Sequence, residues 1–106
     1  MAHLRQQELL AALPNTLRDQ AIDLSDVGSA EYAFPAECLE QVFQVLSASG
    51  FVILGGDLWR RSERGFGPSH EGWYTDRPGG DVEVAWNRFL RVIPDEDGYF
   101  ATFVVR

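Results

Sequence analysis

The sequence predicts an α+β fold: a small three-stranded mixed sheet with helices packed on one main face, in the order α-α-α-β-β-α-β. Two long stretches place apolar residues at helical spacing, a run of four apolar residues follows Gly50, and apolar residues alternate along residues 99–105. The chain has 106 residues, a usual length for one domain. We therefore expect a single domain over residues 1–106.

The N-terminal part of the chain predicts two short helices. Leucines at helical spacing predict the first over residues 3–13, and Pro14 interrupts it. Asn15 or Thr16 then caps a second helix that extends to about Leu24. A turn-rich connection follows, and the apolar residues at 32–34 are expected to pack on the core.

Two amphipathic stripes predict the longer helices. The first stripe predicts a helix over residues 36–49, with Pro35 at its start and Gly50 at its end. Its members are Leu39, Val42, Phe43 and Leu46. The second stripe predicts a helix over residues 82–93, between an Asp81 N-cap and Pro94. Its members are Val82, Ala85, Trp86, Phe89 and Ile93.

Three strands are predicted, at residues 51–59, 72–75 and 99–106, and the Gly- and Pro-rich residues 60–70 are predicted to form a loop. The apolar run that opens the first strand is typical of a strand buried on both faces. Gly55 and Gly56 interrupt that strand, which is typical of a bulge or of close backbone approach. A helical crossover at 82–93 would make the second and third strands parallel, with the first between them and antiparallel to both.

The chain is acidic, with a formal net charge of −7 and a pI of about 4.6, and its nine basic residues are all arginine. Such a charge repels nucleic acid and anionic membranes and attracts a cationic partner, although it also serves to keep a small protein soluble. The single cysteine, together with the lack of a signal peptide or a long apolar run, predicts a cytoplasmic protein.

The sequence contains no catalytic constellation, and we expect neither an enzyme nor a cofactor or metal site. His3 and His70 lack the spacing of metal ligands. Cys38 lies on a predicted helix face without a basic neighbour, which is typical of a small buried hydrophobe. The Gly55-Gly56-Asp57 segment lacks the pattern and the lysine of a phosphate loop.

The aromatic residues Trp59, Trp73 and Tyr74 have two interpretations. Exposed tryptophan and tyrosine are the residues that most often anchor protein interfaces, whereas in a small domain they commonly belong to the core. Successive strand residues face opposite ways, so one of the pair Trp73 and Tyr74 is expected to leave the main core.

Three segments are distinctive when they are taken together: residues 28–33 (Gly-Ser-Ala-Glu-Tyr-Ala), the helix leading into residues 51–59, and residues 72–74 (Gly-Trp-Tyr). In combination they resemble the Immunity protein 40 family, whose members are small α+β proteins predicted to neutralise toxins of bacterial polymorphic toxin systems. The similarity spans about residues 27–106, and the glycines at 65, 67, 79 and 80 lie in departures from it.

The resemblance implies a stoichiometric inhibitor of a cognate toxin domain, and the acidity makes a nuclease one candidate toxin. An interface of about 800 Å² per partner is within reach of a domain of this size. The expected partner-binding residues are Asp57, Trp59, Trp73, Tyr74 and Glu31, with Gly55 and Gly56 shaping a bulge. Asp57 has two open roles, contact with the partner or capping of N–H groups that the bulge leaves free.

Two further hypotheses remain open from the sequence. The first is a small ligand-binding domain or enzyme that uses the Gly-Gly-Asp segment, which requires a concave pocket with convergent polar groups. The second is a regulatory domain that dimerises through its terminal strand. The expected state for an immunity protein is a monomer or a weak homodimer.

Overall fold

The computed structural model of the chain describes the backbone of residues 2–74 and 82–106 and the side chains of residues 5–69, 72, 73 and 82–106. The helices in these ranges are α1 (Ala2–Ala12), α2 (Asn15–Arg18), α3 (Leu39–Ala48) and α4 (Val82–Val92), with 3-10 turns at Ser25–Val27 and Ala36–Cys38. The strands are β1 (Ile22–Asp23), β2 (Tyr32–Pro35), β3 (Ile53–Ser62), β4 (Gly65–Tyr74), β5 (Tyr99–Thr102) and β6 (Val104–Val105).

The six described strands form one curled sheet in the order β1-β2-β5-β3-β4, and β6 also pairs with β3. Every described pair is antiparallel. The α+β class is confirmed, but the prediction of a small three-stranded mixed sheet is wrong. One part of the predicted arrangement holds, because β3 lies between β4 and β5 and is antiparallel to both.

Two of the missing strands are too short to leave a pattern in the sequence. β1 has two residues and β2 has four, and Ile22 pairs with Ala33. The second helix was predicted to reach Leu24, but α2 ends at Arg18 and the chain then enters the sheet. Alternation needs about four or more residues to be recognised, so these strands are fixed by their neighbours rather than by their own composition.

Residues 60–70, predicted as a loop, instead extend β3 and β4 into a long hairpin of ten residues per strand. β4 lies at the end of the strand order in the described sheet, so its ladder is formed with β3 only. An edge strand tolerates Pro68 and several glycines because a backbone N–H is needed on only one side. The glycines and Pro68, which predicted a loop, therefore lie in an edge strand of the described sheet.

The apolar run at 51–54 also differs from its prediction. The strand begins only at Ile53, and Val52 is 43% exposed. Val52 and Arg106 nonetheless exchange backbone hydrogen bonds of 3.4 and 2.8 Å. The run at 51–54 is therefore not buried on both faces, contrary to its prediction.

The two long amphipathic helices are confirmed as elements, with small changes at their ends. The first three residues of the predicted 36–49 helix form a 3-10 turn, and α3 begins at Leu39. The predicted 82–93 helix corresponds to α4. None of the described helices combines the length and the apolar character needed to span a membrane.

The main core lies between these helices and one face of the sheet. Helical residues such as Leu9, Leu39, Val42 and Phe89 are buried there against strand residues. The alternation predicted along the last strand is confirmed, because Tyr99, Ala101, Phe103 and Val105 all join this core. A fully buried side chain of this type contributes about 1.5–3 kcal/mol, so this face provides most of the stability.

Candidate functional site

The opposite face of the sheet, which we call the distal face, carries a second and smaller apolar cluster. Its buried members are Leu24, Ala33, Trp59 and Phe100, and Ile22 and Phe66 pack against them. None of these residues belongs to helices α1 to α4. Among the described residues, the cluster on the distal face is thus built from strands and their connections.

Asp57 is held on the distal face by the strand register. Ala33 pairs with Thr102 and Leu58 pairs with Ala101, so Thr102 lies between Ala33 and Asp57 across the sheet. The Thr102 hydroxyl, which is fully buried, accepts a hydrogen bond of 3.1 Å from the Asp57 backbone N–H. Asp57 and Trp59 are two residues apart on β3, so their side chains project from the same face.

Glu31 approaches the same place from the other side of the sheet. It precedes β2, and its carbonyl oxygen accepts a 3.2 Å hydrogen bond from the Leu24 N–H. The Ser29 hydroxyl donates to Glu31 Oε1 at 3.4 Å and accepts from the Glu31 N–H at 3.3 Å. One local hydrogen bond to the carboxylate and one from the Glu31 backbone therefore hold this half-buried side chain against Ser29.

The electrostatics show that Glu31 and Asp57 influence each other. Burial raises the pKa of the Glu31 carboxyl above its ordinary value, and the charge of Asp57 raises it further. The Ser29 hydroxyl opposes both effects because its hydrogen bond favours the ionised form. Two half-buried carboxylates share one region of the distal face, although they are distant in the sequence.

Trp59 forms the aromatic part of the distal face. It is 8% exposed, and its ring lies 6.2 Å from Phe66, which in turn lies 4.9 Å from Phe100. The Arg61 guanidinium stacks over both phenylalanine rings, at 5.2 and 4.9 Å from their centroids. Within the described part of the molecule, the buried Trp59 indole N–H has no hydrogen-bond acceptor.

Trp73 lies on the helix side of the sheet, away from Trp59. Its side chain is 5% exposed and contacts the rings of Phe43, Trp86 and Phe89 at 6.4, 5.3 and 6.0 Å. The backbone of Tyr74 pairs with Gly55, and its side chain is outside those that the structure describes. The structure thus brings Glu31, Asp57 and Trp59 together and places Trp73 on the opposite face.

The two glycines of β3 lie where the sheet is irregular and tightly packed. The register against β6 shifts between Ile53 and Gly55, and Gly55 has a φ of 153°. A Cβ atom on Gly56 would lie 1.9 Å from the carbonyl oxygen of Thr102 and 3.1 Å from Trp73 Nε1. Only glycine fits at position 56, because the β5 backbone occupies the space of a side chain.

A comparison with protein families decides what kind of protein carries this face. The sequence model of the family described as Immunity protein 40 matches residues 23–88, which is more than half of the chain. The chain belongs to the Immunity protein 40 family. Membership makes it an immunity protein of polymorphic toxin systems. No curated protein and no solved structure matches the chain.

The part of this Immunity protein 40 member that matches its family contains Glu31, Asp57 and Trp59. It ends inside α4, so β5 and β6 follow it. Thr102, which lies between Ala33 and Asp57, comes from this later part, and sequence reasoning did not single it out. A threonine in an alternating strand gives no signal of such a role, since the register alone places it there.

The Immunity protein 40 member has a second acidic surface, which runs between α4 and the N-terminal part of α3. A cavity of about 510 Å³ there is lined by Glu37, Asp95, Glu96 and Asp97 together with Leu90 and Ile93. A neighbouring cavity of about 310 Å³ is lined by Glu40, Glu83, Phe43 and Trp86, with Gln44 and Asn87. We call the two cavities together the helix crevice.

The described residues offer little else with catalytic or metal-binding chemistry. They contain no group of three or more His, Cys, Asp or Glu side chains arranged to hold a metal ion. Burial, and to a smaller extent the charge of Glu37, raises the pKa of the Cys38 thiol, which keeps it protonated. The side chains of His3 and His70 lie outside the described set.

Proposed function

We propose that this Immunity protein 40 member neutralises a cognate toxin domain by forming a stoichiometric complex with it, without catalysing a reaction. The family match over residues 23–88 carries the proposal. A net charge of −7 supports it, because an acidic protein associates rapidly with a basic one. A nuclease is the toxin class that fits best, since its cleft must be positively charged to bind phosphates.

The distal face is the surface that we propose for this contact. It combines the carboxylates of Glu31 and Asp57 with the aromatic cluster around Trp59, and none of the described helices contributes to it. Interfaces of high affinity combine a central aromatic anchor with complementary charge. Trp73 supports this surface from behind, by packing on the other side of β3 and β4.

The packing around Gly56 favours binding over catalysis. A ligand-binding or catalytic role for the Gly-Gly-Asp segment requires an open cavity beside it. On the helix side of Gly56, however, the Thr102 carbonyl and the Trp73 ring fill the available space. The single, buried cysteine supports action in the cytoplasm, where thiols stay reduced.

Co-expression with the toxin domain encoded beside this chain tests the proposal. We expect the wild-type chain to restore growth, and a catalytically inactive toxin variant to co-purify with it as a 1:1 complex by light scattering. Gln44→Ala, an exposed change in the helix crevice, is expected to protect fully. Toxicity that persists in the presence of the soluble, folded wild-type chain would contradict the proposal.

A further inference from the structure

We propose that two copies of this chain form a weak two-fold dimer, in which the outer side of α4 of each copy docks into the helix crevice of the other. The inference goes beyond the proposed function, because its partner is a second copy of the chain rather than the toxin. Among the described residues, the apolar cluster of the distal face contains none from α1 to α4, so this contact leaves that face free.

The outer side of α4 carries a row of apolar and basic residues, which we call the α4 ridge. It consists of Val84, Arg88 and Val92, which follow one another at intervals of four residues, together with Arg91. Val84 and Val92 are 51% and 44% exposed, and they are two of the four most exposed large apolar side chains in the described part of the chain. A surface helix normally presents polar residues to solvent, so two valines in one row indicate a docking surface.

The helix crevice offers the chemistry that complements this ridge. Glu37 and Glu40 are exposed where they line it, and they provide negative charge for arginine side chains. Phe43, Leu90 and Ile93 line it as half-buried side chains, and they provide apolar surface for the valines. The ridge and the crevice therefore match in both charge and polarity.

The α3 and α4 segments line the crevice in opposite chain directions. Glu40 of α3 shares one cavity with Asn87 of α4, whereas Glu37, in the 3-10 turn before α3, shares the other cavity with Leu90. Asn87 also lines a cavity of about 260 Å³ with Arg88 of the ridge. The ridge and the crevice thus adjoin along α4, with Asn87 between them.

A two-fold axis that runs parallel to α4, between the ridge and the crevice, places the ridge of each copy over the crevice of the other. Rotation about such an axis does not shift a residue along the helix. Arg88 therefore meets the crevice near Glu40 of the second copy, and Arg91 meets it near Glu37. Within the described part of one chain, none of these four side chains forms a salt bridge, so the dimer supplies the opposite charges.

The size of the contact makes the dimer weak. The eleven residues of α4 extend over about 16 Å, so the ridge and the crevice bury less than the roughly 800 Å² per partner of a stable complex. We expect a dissociation constant of about 0.1 mM. The net charge of −7 on each copy opposes association, but salt at about 0.15 M screens charges beyond about 8 Å and leaves the close pairs attractive.

Sedimentation velocity of the wild-type chain tests the dimer without any toxin. From about 10 μM to about 1 mM, we expect a change from mostly monomer to mostly dimer. A chain that stays monomeric at the upper concentration, or a particle that grows beyond the dimer, would overturn the inference. Either result leaves the proposed function untouched, because toxin binding is not measured.

Charge reversal tests the pairing of Arg88 with Glu40. Arg88→Glu and Glu40→Arg are each expected to weaken dimerisation by at least about tenfold, because each places like charges in contact twice across the dimer. An equimolar mixture of the two variants should dimerise like wild type, since each chain then supplies the charge that the other lacks. Arg64→Glu, an exposed change in the turn between β3 and β4, is the matched control and should alter dimerisation by less than about twofold.

Circular dichroism confirms that each variant is folded. Dimerisation of Arg88→Glu as tight as that of wild type, or folded variants that fail to associate when mixed, would contradict the pairing. Dilution of the ¹⁵N-labelled wild-type chain adds a readout without substitutions. We expect concentration-dependent amide shifts at residues 37–44 and 84–92, and shifts confined to residues 57–59 would place the interface on the distal face instead.

Discussion

Gln6 Nε2 donates a 2.7 Å hydrogen bond to the backbone carbonyl of Phe103, a residue 97 positions later in the chain. Phe103 lies between β5 and β6, where the strand is interrupted. The other end of the same amide, Gln6 Oε1, accepts a 3.1 Å hydrogen bond from the Tyr32 N–H at the start of β2. One buried side chain of α1 therefore satisfies a backbone group of β2 and another between β5 and β6.

Replacing Gln6 by Ala is expected to lower the free energy of unfolding by at least about 2 kcal/mol, because a buried carbonyl loses its partner and a backbone N–H loses its acceptor. Gln7→Ala changes the exposed neighbour on the same helix and should alter stability by less than about 0.5 kcal/mol. Urea denaturation followed by circular dichroism measures both. Equal stabilities for the two variants would show that water replaces the Gln6 amide.

Gly56→Ala is expected to destabilise the protein by about 3 kcal/mol or more, because its Cβ would lie 1.9 Å from a backbone oxygen that cannot rotate away. Gly67→Ala is the matched control, since its Cβ would meet no atom within 4 Å. That change should leave stability unchanged or raise it by up to about 1 kcal/mol. Thermal unfolding measures the stability of both variants. A Gly56→Ala chain as stable as wild type would mean that β5 can move away from β3.

Glu31→Gln is expected to stabilise the protein slightly at neutral pH, by less than about 1 kcal/mol, because solvent screens a half-exposed charge. The folded state raises the pKa of Glu31, so it binds the proton more readily than the unfolded chain. Wild-type stability should therefore rise relative to the variant as pH falls through this raised pKa, and the difference should vanish below the ordinary value of 4.5.

Denaturant titrations of wild type and Glu31→Gln across this pH range measure the difference, with the exposed change Glu63→Gln as the control. An NMR titration adds a direct readout, because Asp57→Asn should lower the pKa of Glu31 by removing the neighbouring charge. A pKa of Glu31 that does not respond to Asp57→Asn would show that the two carboxylates do not interact.

Trp73→Phe is expected to be tolerated, since it keeps a ring against Phe43, Trp86 and Phe89 and removes an indole N–H that has no acceptor among the described residues. Trp73→Ala should be destabilising by about 3–5 kcal/mol, because it leaves a cavity in the main core. Toxin binding should be the same for wild type and Trp73→Phe. Weaker binding by the folded Phe variant would point to a direct contact of Trp73 with the toxin.

Cys38 is expected to react with a thiol reagent only when the protein unfolds, because the side chain is buried and its pKa is raised. In native buffer the reaction should be slower than that of the unfolded chain in guanidinium chloride by at least about a hundredfold, as expected when reaction requires global unfolding. Both rates are followed by the absorbance of the leaving group that the thiol reagent releases. Rapid native labelling would show that the 3-10 turn before α3 opens locally.

The helical part of the fold was readable from the sequence. The stripe from Leu39 to Leu46 and the stripe from Val82 onward each carry their own periodicity, so the ends of α4 were predicted to within one residue and those of α3 to within three. The alternation at Tyr99 to Val105 was equally direct. The family resemblance, carried by residues around Glu31, Asp57 and Trp73, was confirmed by the match over residues 23–88.

The sheet was less readable, because strand pairing joins residues that are distant in the chain. β1 and β2 are too short to show a period, and Gly65 to Pro68 carry turn residues that an edge strand accepts. The local sequence does not indicate that these segments pair with other strands. The prediction consequently recovered the helices and the place of β3, and missed half of the strands.

The sequence alone determined the class of the protein, its acidity, its amphipathic helices and its family, because each of these depends on composition or on neighbours within a few residues. Only the tertiary structure decided that the charges of Glu31 and Asp57 influence each other and that Trp59 and Trp73 face opposite ways. Those relationships depend on the register of β2, β5 and β3, and a register is a property of pairs of strands.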